Sequence, residues 1–358
     1  MAEASALVFA VSFVTAFLGL PGEAIETSGE LGWLSVLVSG LGTMVMLFLL
    51  IYVFQRLPGD LVSVSGHLLG KVGAYAISAY YIIMFLGLAT LWTRQFAENT
   101  LLAALPSMNF QLSVSWYSLG AVFLVYWGIE TIARTAYVVL PFIVIGTLLV
   151  LGLLEPLYKP NYLFPWLGAG LTGTLLKGGI LVGANAGSLL LAVLAESFQS
   201  PRVLKTAAVF GLGGSVLLKS LSVLVFTMVF GVPVALEKTL PFFDMSRLVY
   251  LTRYVQRIES IFIVLWVMVG ILGIAVTLYM GLYLIARLVN LPAIRPLVPT
   301  AAILVAQLAM LPPDISTVLE WQTILIRGYC PIGIYVIPLL LFAATRLKEK
   351  RRAKCASG

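Results

Sequence analysis

The chain of 358 residues contains few charged side chains, two cysteines and a single histidine. Only 10% of its residues are Asp, Glu, Lys or Arg, whereas soluble globular domains contain about 25%. This composition excludes a secreted soluble domain and an ordinary cytosolic enzyme. Cys330, Cys355 and His67 are too few for a structural zinc site of four ligands or for a disulfide framework. No nucleophile motif lies near His67, so we expect neither an enzyme nor a bound cofactor.

What the chain has instead is apolar sequence: 61% of its residues are hydrophobic, and its mean hydropathy is +1.04. A helix needs about 20 apolar residues to cross the hydrocarbon of a bilayer. The sequence therefore predicts an all-α polytopic membrane protein with the lipid bilayer as its surroundings. Ten apolar runs are candidate spans, and they lie near 4–28, 33–54, 73–103, 114–129, 135–154, 176–195, 206–231, 258–286, 297–311 and 332–346.

The basic residues predict the orientation of the chain. The net charge of +7 could indicate a nucleic acid partner in a soluble protein. Here, however, six basic residues between Arg346 and Lys354 directly follow an apolar span, which favours contact with anionic lipid and no nucleic acid. Counted together with the six terminal bases, the connections on the same side as this tail, residues 347–358, hold 13 Lys and Arg, against seven on the other side. We therefore expect both termini to be cytoplasmic.

Two of the candidate spans carry helix-breaking sequences at equivalent positions. The first contains Gly19-Leu20-Pro21-Gly22, and the sixth contains Gly183-Ala184-Asn185-Ala186-Gly187. Proline lacks an amide donor and glycine lowers helix propensity. Paired interruptions predict two inverted five-helix repeats, residues 1–155 and 156–346, with a ligand site between the broken first and sixth helices. The alternative is that small residues only allow neighbouring helices to pack closely.

Lys219 lies near the centre of the seventh span. A charge at that depth costs about 2.5–3.5 kcal/mol on insertion scales, so it should face protein or a wet cavity. Its role is either functional, as a positive charge that replaces a coupling cation or gates a pore, or structural, as an ion pair or a neutral amine. Glu98 and Glu259 are candidate partners.

Other polar and aromatic residues in or near the spans favour structural roles. Side chains four apart on a helix can neutralise each other, whereas residues two apart point to different faces and should bond to other helices. The four-residue pairs are Arg94 with Glu98 and Glu130 with Arg134; the two-residue pair is Arg257 with Glu259. Tyr80 and Met84 on the third span could line a ligand pocket or serve only in helix packing.

Five groups of residues, in order along the chain, carry a resemblance to a known family. They are Arg94 to Glu98; Gly128-Ile129-Glu130 with Arg134 and Pro141; Asn161, Leu163, Pro165 and Gly168; Pro241-Phe242 with Arg247; and Arg257 to Phe262 with Trp266. The chain resembles the endospore germination permease family, the B subunit of nutrient germinant receptors, within the amino acid–polyamine–organocation superfamily.

The resemblance implies a fold, partners and a site. The family fold has ten helices in two inverted repeats, in the inner membrane of the spore, together with an A-type and a lipoprotein C-type subunit. A small nutrient, such as an amino acid, would bind at the broken helices. The implied ligand-binding residues are Thr15, Ala16, Gly19, Tyr80, Met84, Gly183, Asn185 and Gly187.

The chain departs from the superfamily pattern at both breaks. A Gly-x-Gly sequence commonly stands seven residues before the proline of the first helix, where this chain has Val14-Thr15-Ala16. The unwound part is therefore expected to be shorter or to lie at Gly19. Family members often carry an acid shortly after the glycines of the sixth helix, whereas the nearest positions here are Asn185, Ala186 and Gly187, and the next acid is Glu196. Three functions remain open: a nutrient-sensing receptor subunit, a secondary amino acid transporter coupled to H+ or Na+, and a structural subunit with a degenerate pocket.

Overall fold

The fold is helical throughout the part of the chain that the structure describes. The computed structural model describes residues 1–57, 59–168, 170–198, 200–249 and 259–356, and these residues include no β-strand. Helices satisfy their backbone donors and acceptors internally, which is the requirement that a lipid environment imposes. The all-α class expected from composition is confirmed.

Within the described residues the chain forms α-helices interrupted by tighter and wider turns. The α-helices are α1 Ala2–Phe17, α2 Leu20–Ser28, α3 Gly32–Arg56, α4 Leu61–Ala103, α5 Phe110–Trp127, α6 Ile129–Leu153, α7 Leu171–Gly178, α8 Leu190–Val193, α9 Pro201–Thr206, α10 Gly213–Leu236, α11 Pro241–Leu248, α12 Glu259–Val289, α13 Val298–Ala309, α14 Ile315–Thr323 and α15 Ile337–Ala356. The longest 3-10 segment is Ile180–Leu189, and π-helical turns cover Ala207–Leu212, Ile324–Tyr329 and Ile332–Val336.

Seven helical stretches of the described residues are long and apolar enough to cross a membrane. They are Leu20–Arg56, Leu61–Ala103, Ile129–Leu153, Leu171–Val193, Pro201–Leu236, Phe262–Val289 and Ile315–Lys350. Ala2–Phe17 and Arg295–Ala309 are shorter apolar helices, and the 18-residue α5 covers most of the fourth expected span. The chain is therefore a multi-pass membrane protein, and the count of ten spans remains a prediction.

α1 and α12 lie at the centre of the packing. α12 runs along α4 and also contacts α5, α6 and α1, while α1 packs against α6, α10 and the 3-10 segment 180–189. α1 is buried from Ala6 to Phe17, which explains why its sequence is apolar on all sides rather than amphipathic. The first broken helix and the segment of the second are thus enclosed by other helices.

Close contact between α3 and α10 depends on Gly40. A Cβ atom added at Gly40 would lie 2.3 Å from Val216 Cγ1 and 2.9 Å from Val216 Cβ. Small residues at such contacts allow helix backbones to approach each other in a membrane.

We expect Gly40→Ala to destabilise the folded protein by about 1–3 kcal/mol, because the added methyl group overpacks the α3–α10 contact. Gly87→Ala is the matched control. Its Cβ would meet only Leu325 side-chain atoms at 3.6 Å or more, so the higher helix propensity of alanine should leave it neutral or stabilise it by up to about 1 kcal/mol. Thermal unfolding in detergent measures both. Equal melting temperatures for the two variants would contradict the packing described here.

The two ends of α3 define two opposite faces of the molecule. Its 25 residues span about 37 Å. One face, which we call the Glu26 face, carries Glu26 near the start of α3. The other, the Asp60 face, carries Asp60, which follows the end of α3. The start of the basic tail in α15 also lies on this face, because Arg56 at the end of α3 pairs with Glu349.

Arg287 connects three elements on the Asp60 face. Its guanidinium pairs with Asp60 Oδ2 at 2.5 Å and also with Glu196, which follows α8. Asp60 caps α4 by accepting a hydrogen bond from the Ser63 amide at 2.9 Å. Burial acts to raise the pKa of Asp60, but the hydrogen bonds from Ser63 and Arg287 outweigh it and hold the pKa below its ordinary value.

Asp60→Asn should lower the stability at pH 7 by about 1–2 kcal/mol, because Asn caps a helix as well as Asp does but loses the partly exposed ion pair with Arg287. A carboxyl with a depressed pKa stabilises the fold above its unfolded pKa of about 3.9, and this stabilisation is lost as the pH falls through its folded pKa. The difference between wild type and Asp60→Asn in thermal unfolding should therefore shrink below about pH 4.

Asp314→Asn provides the control, because Asp314 caps α14 through the Thr317 amide in the same way and has no ion pair among the described residues. We expect it to change the melting temperature little. If both variants behave alike at pH 7, the bond to Arg287 does not contribute to stability.

Candidate functional site

The first helix is broken at Leu18 and Gly19, as expected. α1 ends at Phe17 and α2 begins at Leu20, and between them Leu18 adopts φ −91° and ψ −121°, outside the helical region. Pro21 follows as the second residue of α2, where its missing amide donor does no harm because the first turn of a helix has no intrahelical acceptor for it. The break lies at Gly19 rather than at Val14-Thr15-Ala16, because these three residues remain helical.

The second interruption replaces the middle of the helical stretch Leu171–Val193 with a 3-10 segment. Ile180–Leu189 contains all five residues of the Gly183–Gly187 sequence, and every one of them is buried. A 3-10 segment of ten residues is unusually long, since such runs rarely exceed 3–4 residues. Its carbonyl groups are therefore less regularly paired than those of an α-helix and can accept hydrogen bonds from side chains.

Lys219 of α10 joins the two interrupted regions. Its Nζ donates to Ser12 O of α1 at 3.1 Å, to Ala184 O at 3.3 Å and to Asn185 Oδ1 at 2.6 Å. Three acceptors match the three N–H donors of an ammonium group, whereas a neutral amine has two. These bonds offset the cost of burying a side chain that is only 1% exposed.

Of the two candidate partners of Lys219, Glu98 is not its partner, because it pairs with Arg94 at 2.8 Å. Oxygens of Ser12, Ala184 and Asn185 take the place of a carboxylate. Arg257 and the side chain of Glu259 lie outside the described residues.

Thr15 and Asn185 extend this polar group to further elements. Thr15 Oγ1 donates to Ala184 O at 3.0 Å, and Asn185 Nδ2 donates to Ser39 Oγ at 3.4 Å and to Thr43 Oγ1 at 3.3 Å on α3. We call this buried set the Lys219 junction; its members are Ser12, Thr15, Ser39, Thr43, Ala184, Asn185 and Lys219. It connects α1, α3, α10 and the 3-10 segment at one point.

The glycines of the second interruption serve close packing. A Cβ at Gly183 would lie 2.0 Å from Ile326 O, and one at Gly187 would lie 2.7 Å from Val11 Cγ2. Both contacts are too short for any other residue, which favours the packing alternative for these two positions. A role of either glycine in ligand contact remains a prediction, as it does for Ala16, which is buried within α1.

Tyr80 and Met84 face a third irregular region rather than the first break. The Tyr80 hydroxyl donates to Tyr329 O, and its neighbour Tyr81 donates to Gly333 O at 2.6 Å. A Cβ at Gly333 would lie 3.3 Å from Met84 Sδ. These side chains therefore anchor α4 to the π-helical turns between residues 324 and 336, which pack in turn on the 3-10 segment.

The two four-residue charge pairs form the ion pairs expected from their spacing. Arg94 Nε lies 2.8 Å from Glu98 Oε2, and the Arg94 guanidinium also stacks on Phe110 at 4.2 Å from the ring centre. Arg134 pairs with Glu130 at 2.5 Å, with both side chains exposed. Neither pair contacts the Lys219 junction through a hydrogen bond among the described residues.

Sequence reasoning missed several polar residues near the first break. Ser39 and Thr43 are four apart on α3 and thus share a face, a spacing that could have indicated them. Glu23 follows Pro21 directly after the break and accepts a hydrogen bond from Gln322 Nε2 at 3.2 Å. Gln322 gave no signal, because it lies between the ninth and tenth expected spans.

We expect Lys219→Met to destabilise the protein by about 3 kcal/mol or more, because it leaves buried acceptors of the junction without donors. Lys205→Met is the control, since Lys205 is exposed. Thermal unfolding in detergent and the amount of protein in membranes measure the effect. If Lys219→Met is as stable and as abundant as Lys205→Met, the junction does not hold the two interrupted regions together.

Comparisons with known proteins agree with this arrangement. The solved structure of a manganese transporter of Eremococcus coleocola, a histidine-to-alanine mutant, superposes with a TM-score of 0.64 at 11% sequence identity. The match covers 96% of this chain and 76% of that chain, and it shows that the two proteins share a fold. No curated protein matches the sequence.

The family model described as spore germination protein matches residues 1–318. This match covers most of the 358 residues, including both interrupted regions and Lys219. It agrees with the resemblance found in the sequence. The chain is thus a permease-like membrane protein, and it belongs to the spore germination permease family.

Proposed function

We propose that this chain is the ligand-sensing membrane subunit of a spore germinant receptor, which binds a small nutrient of the amino acid class and signals germination. One observation carries the proposal: Lys219 bonds at once to α1, the helix that ends at the first break, and to the second interrupted segment. Interrupted helices in transporter folds form ligand sites, and here the two are joined by an element that a ligand can bias.

The proposed mechanism is a shift between two arrangements of the interrupted helices. A ligand shifts such an equilibrium only through different affinities for the two states. Each hydrogen bond of the junction joins elements that would have to separate when one arrangement changes into the other. The loss or gain of such a bond therefore changes the equilibrium between the two arrangements. Binding energy is thereby converted into a signal, and net movement of the nutrient across the membrane is not required.

The surroundings that we propose follow from the family. The chain would form ten helices in two inverted repeats, residues 1–155 and 156–346, in the inner membrane of the spore. Its tail, residues 347–358, would contact anionic lipid on the cytoplasmic side, where both termini would lie. An A-type and a lipoprotein C-type subunit would complete the receptor.

A second candidate function is secondary transport of an amino acid coupled to H+ or Na+. The fold shared with the manganese transporter favours it. A third, a structural subunit, is favoured by the tight packing at Gly183 and Gly187. Measuring substrate counterflow in proteoliposomes that contain this chain alone distinguishes these functions. Transport predicts counterflow. Sensing predicts that spores respond saturably to the nutrient although the proteoliposomes show no counterflow. Co-purification with partner subunits, with neither activity, would favour the structural role.

Thr15→Val tests whether the junction takes part in the response. The substitution keeps the shape of the side chain and removes the bond between Thr15 and Ala184 O. A hydrogen bond contributes about 1 kcal/mol, so the nutrient concentration for a half-maximal germination response should change about fivefold. Thr345→Val is the control, because the buried Thr345 hydroxyl bonds only within its own helix, to Leu341 O.

The test requires spores that respond to a nutrient. If the dose–response curves of Thr15→Val and Thr345→Val both equal that of wild type, the junction has no role in sensing. A saturable counterflow that Thr15→Val reduces would instead support transport.

A further inference from the structure

A cavity of about 560 Å³ lies on the Asp60 face, at the end of α12. Sites for drug-sized molecules measure about 300–1,000 Å³, so the cavity has room for a small ligand. Its wall is formed by the last turns of α12, by the residues that follow α8 and by the connection that leads to α13. The polar residues of this wall are Glu196, Ser197, Tyr279, Tyr283, Arg287 and Arg295.

The charges in the wall leave one guanidinium group without a carboxylate. Arg287 is bound on two sides, because its Nε pairs with Asp60 and its Nη2 pairs with Glu196. Arg295 forms no ion pair with any residue that the structure describes. Its guanidinium lies over the Tyr126 ring, 5.7 Å from the ring centre. A guanidinium that stacks on an aromatic face keeps the N–H groups at its edge available for two oxygens of an anion.

The start of α13 adds to the positive potential beside Arg295. Arg295 begins the 3-10 turn Arg295–Leu297, which leads directly into α13. The first amides of a helix have no intrahelical acceptor, and the helix dipole places partial positive charge there. Ser197 and Tyr279, which carry hydroxyl groups, line the same cavity. The cavity therefore combines N–H and O–H donors with the unpaired charge of Arg295.

The cavity lies at the depth where lipid headgroups meet the protein. The membrane-crossing stretch Phe262–Val289 ends in its wall. Tyr126 and Trp127 at the end of α5 are 46% and 58% exposed, and exposed aromatic side chains of this kind mark the interface between hydrocarbon and water. Leu291, which also lines the cavity, is 40% exposed. At this depth both a headgroup phosphate and a phosphate from solution can reach Arg295.

We infer that this cavity is a binding site for a phosphate group, which is held by Arg295 and by the hydroxyl groups beside it. A phosphate accepts two parallel hydrogen bonds from one guanidinium group, and this matches the available edge of Arg295. The same chemistry has two sources: the headgroup of an anionic phospholipid, and a phosphate ion or ester in solution. The site is separate from the Lys219 junction, and it does not depend on the proposed function.

The test measures binding of three probes to the purified full chain in detergent by microscale thermophoresis. The probes are dihexanoyl phosphatidylglycerol, inorganic phosphate, and dihexanoylglycerol, which has the same acyl chains but no phosphate. We expect saturable binding of a phosphate-bearing probe and none of dihexanoylglycerol. Binding of phosphatidylglycerol alone would support the site and identify a lipid headgroup as its ligand. Binding of inorganic phosphate would support the site and show that the lipid part of the probe is not required.

Substitutions of Arg295 test whether the bound probe occupies this cavity. Arg295→Gln should raise the Kd of the active probe about tenfold or more, because the charged hydrogen bonds to the phosphate are lost. Arg295→Lys keeps the charge but not the planar pair of donors, so it should raise the Kd by a smaller factor. Arg295 is exposed, and both variants should melt at the wild-type temperature in the absence of a probe.

Arg202→Gln is the matched control, because Arg202 is an exposed arginine at the start of α9 that does not line the cavity. It should leave the Kd unchanged. An unchanged Kd in Arg295→Gln, or an equal loss of affinity in Arg202→Gln, would overturn the site. Two further results would also overturn it: no binding of any probe, and equal affinities for phosphatidylglycerol and dihexanoylglycerol.

Discussion

The buried amino group of Lys219 is the constraint on which the centre of this molecule depends. A polar group at this depth in a membrane protein must find acceptors within the protein, and here the acceptors are two backbone carbonyls and one side-chain amide. One carbonyl, Ala184 O, belongs to the 3-10 segment, and the other, Ser12 O, belongs to α1. The interruption in the sixth expected span and the lysine in the seventh therefore complement each other. The same bonds hold α1 against the 3-10 segment.

Polar clusters lie at three depths of the fold: in its centre, on the Asp60 face and on the Glu26 face. The Lys219 junction lies in the closed centre, where Gly183 and Gly187 bring neighbouring backbones into contact. The Asp60 face is fastened by Arg287, which bridges the start of α4 and the end of the interrupted region. The Glu26 face is less complete, because buried atoms of Glu23 and Gln322 have no hydrogen-bond partner in the part of the chain that the structure describes.

The sequence was sufficient for the helical class, for the breaks at Gly19 and at 183–187, and for the pairing of Arg94 with Glu98. Each of these depends on local chemistry: apolar length, helix-breaking residues or a four-residue spacing. The observed partners of Lys219 could not be predicted, because backbone carbonyls carry no signature in the sequence and only the fold brings Ser12 and Ala184 together. Gln322 was missed for the same reason, since its partner Glu23 is distant in the chain.

A double-mutant cycle between Lys219 and Asn185 tests the central claim most directly. The free energies of unfolding would be compared for wild type, Lys219→Met, Asn185→Leu and the double variant. Because the 2.6 Å bond between these side chains is buried, the account predicts a coupling energy of about 1–3 kcal/mol. Additive effects, with no coupling energy, would contradict the claim that Lys219 holds the second interrupted segment in place.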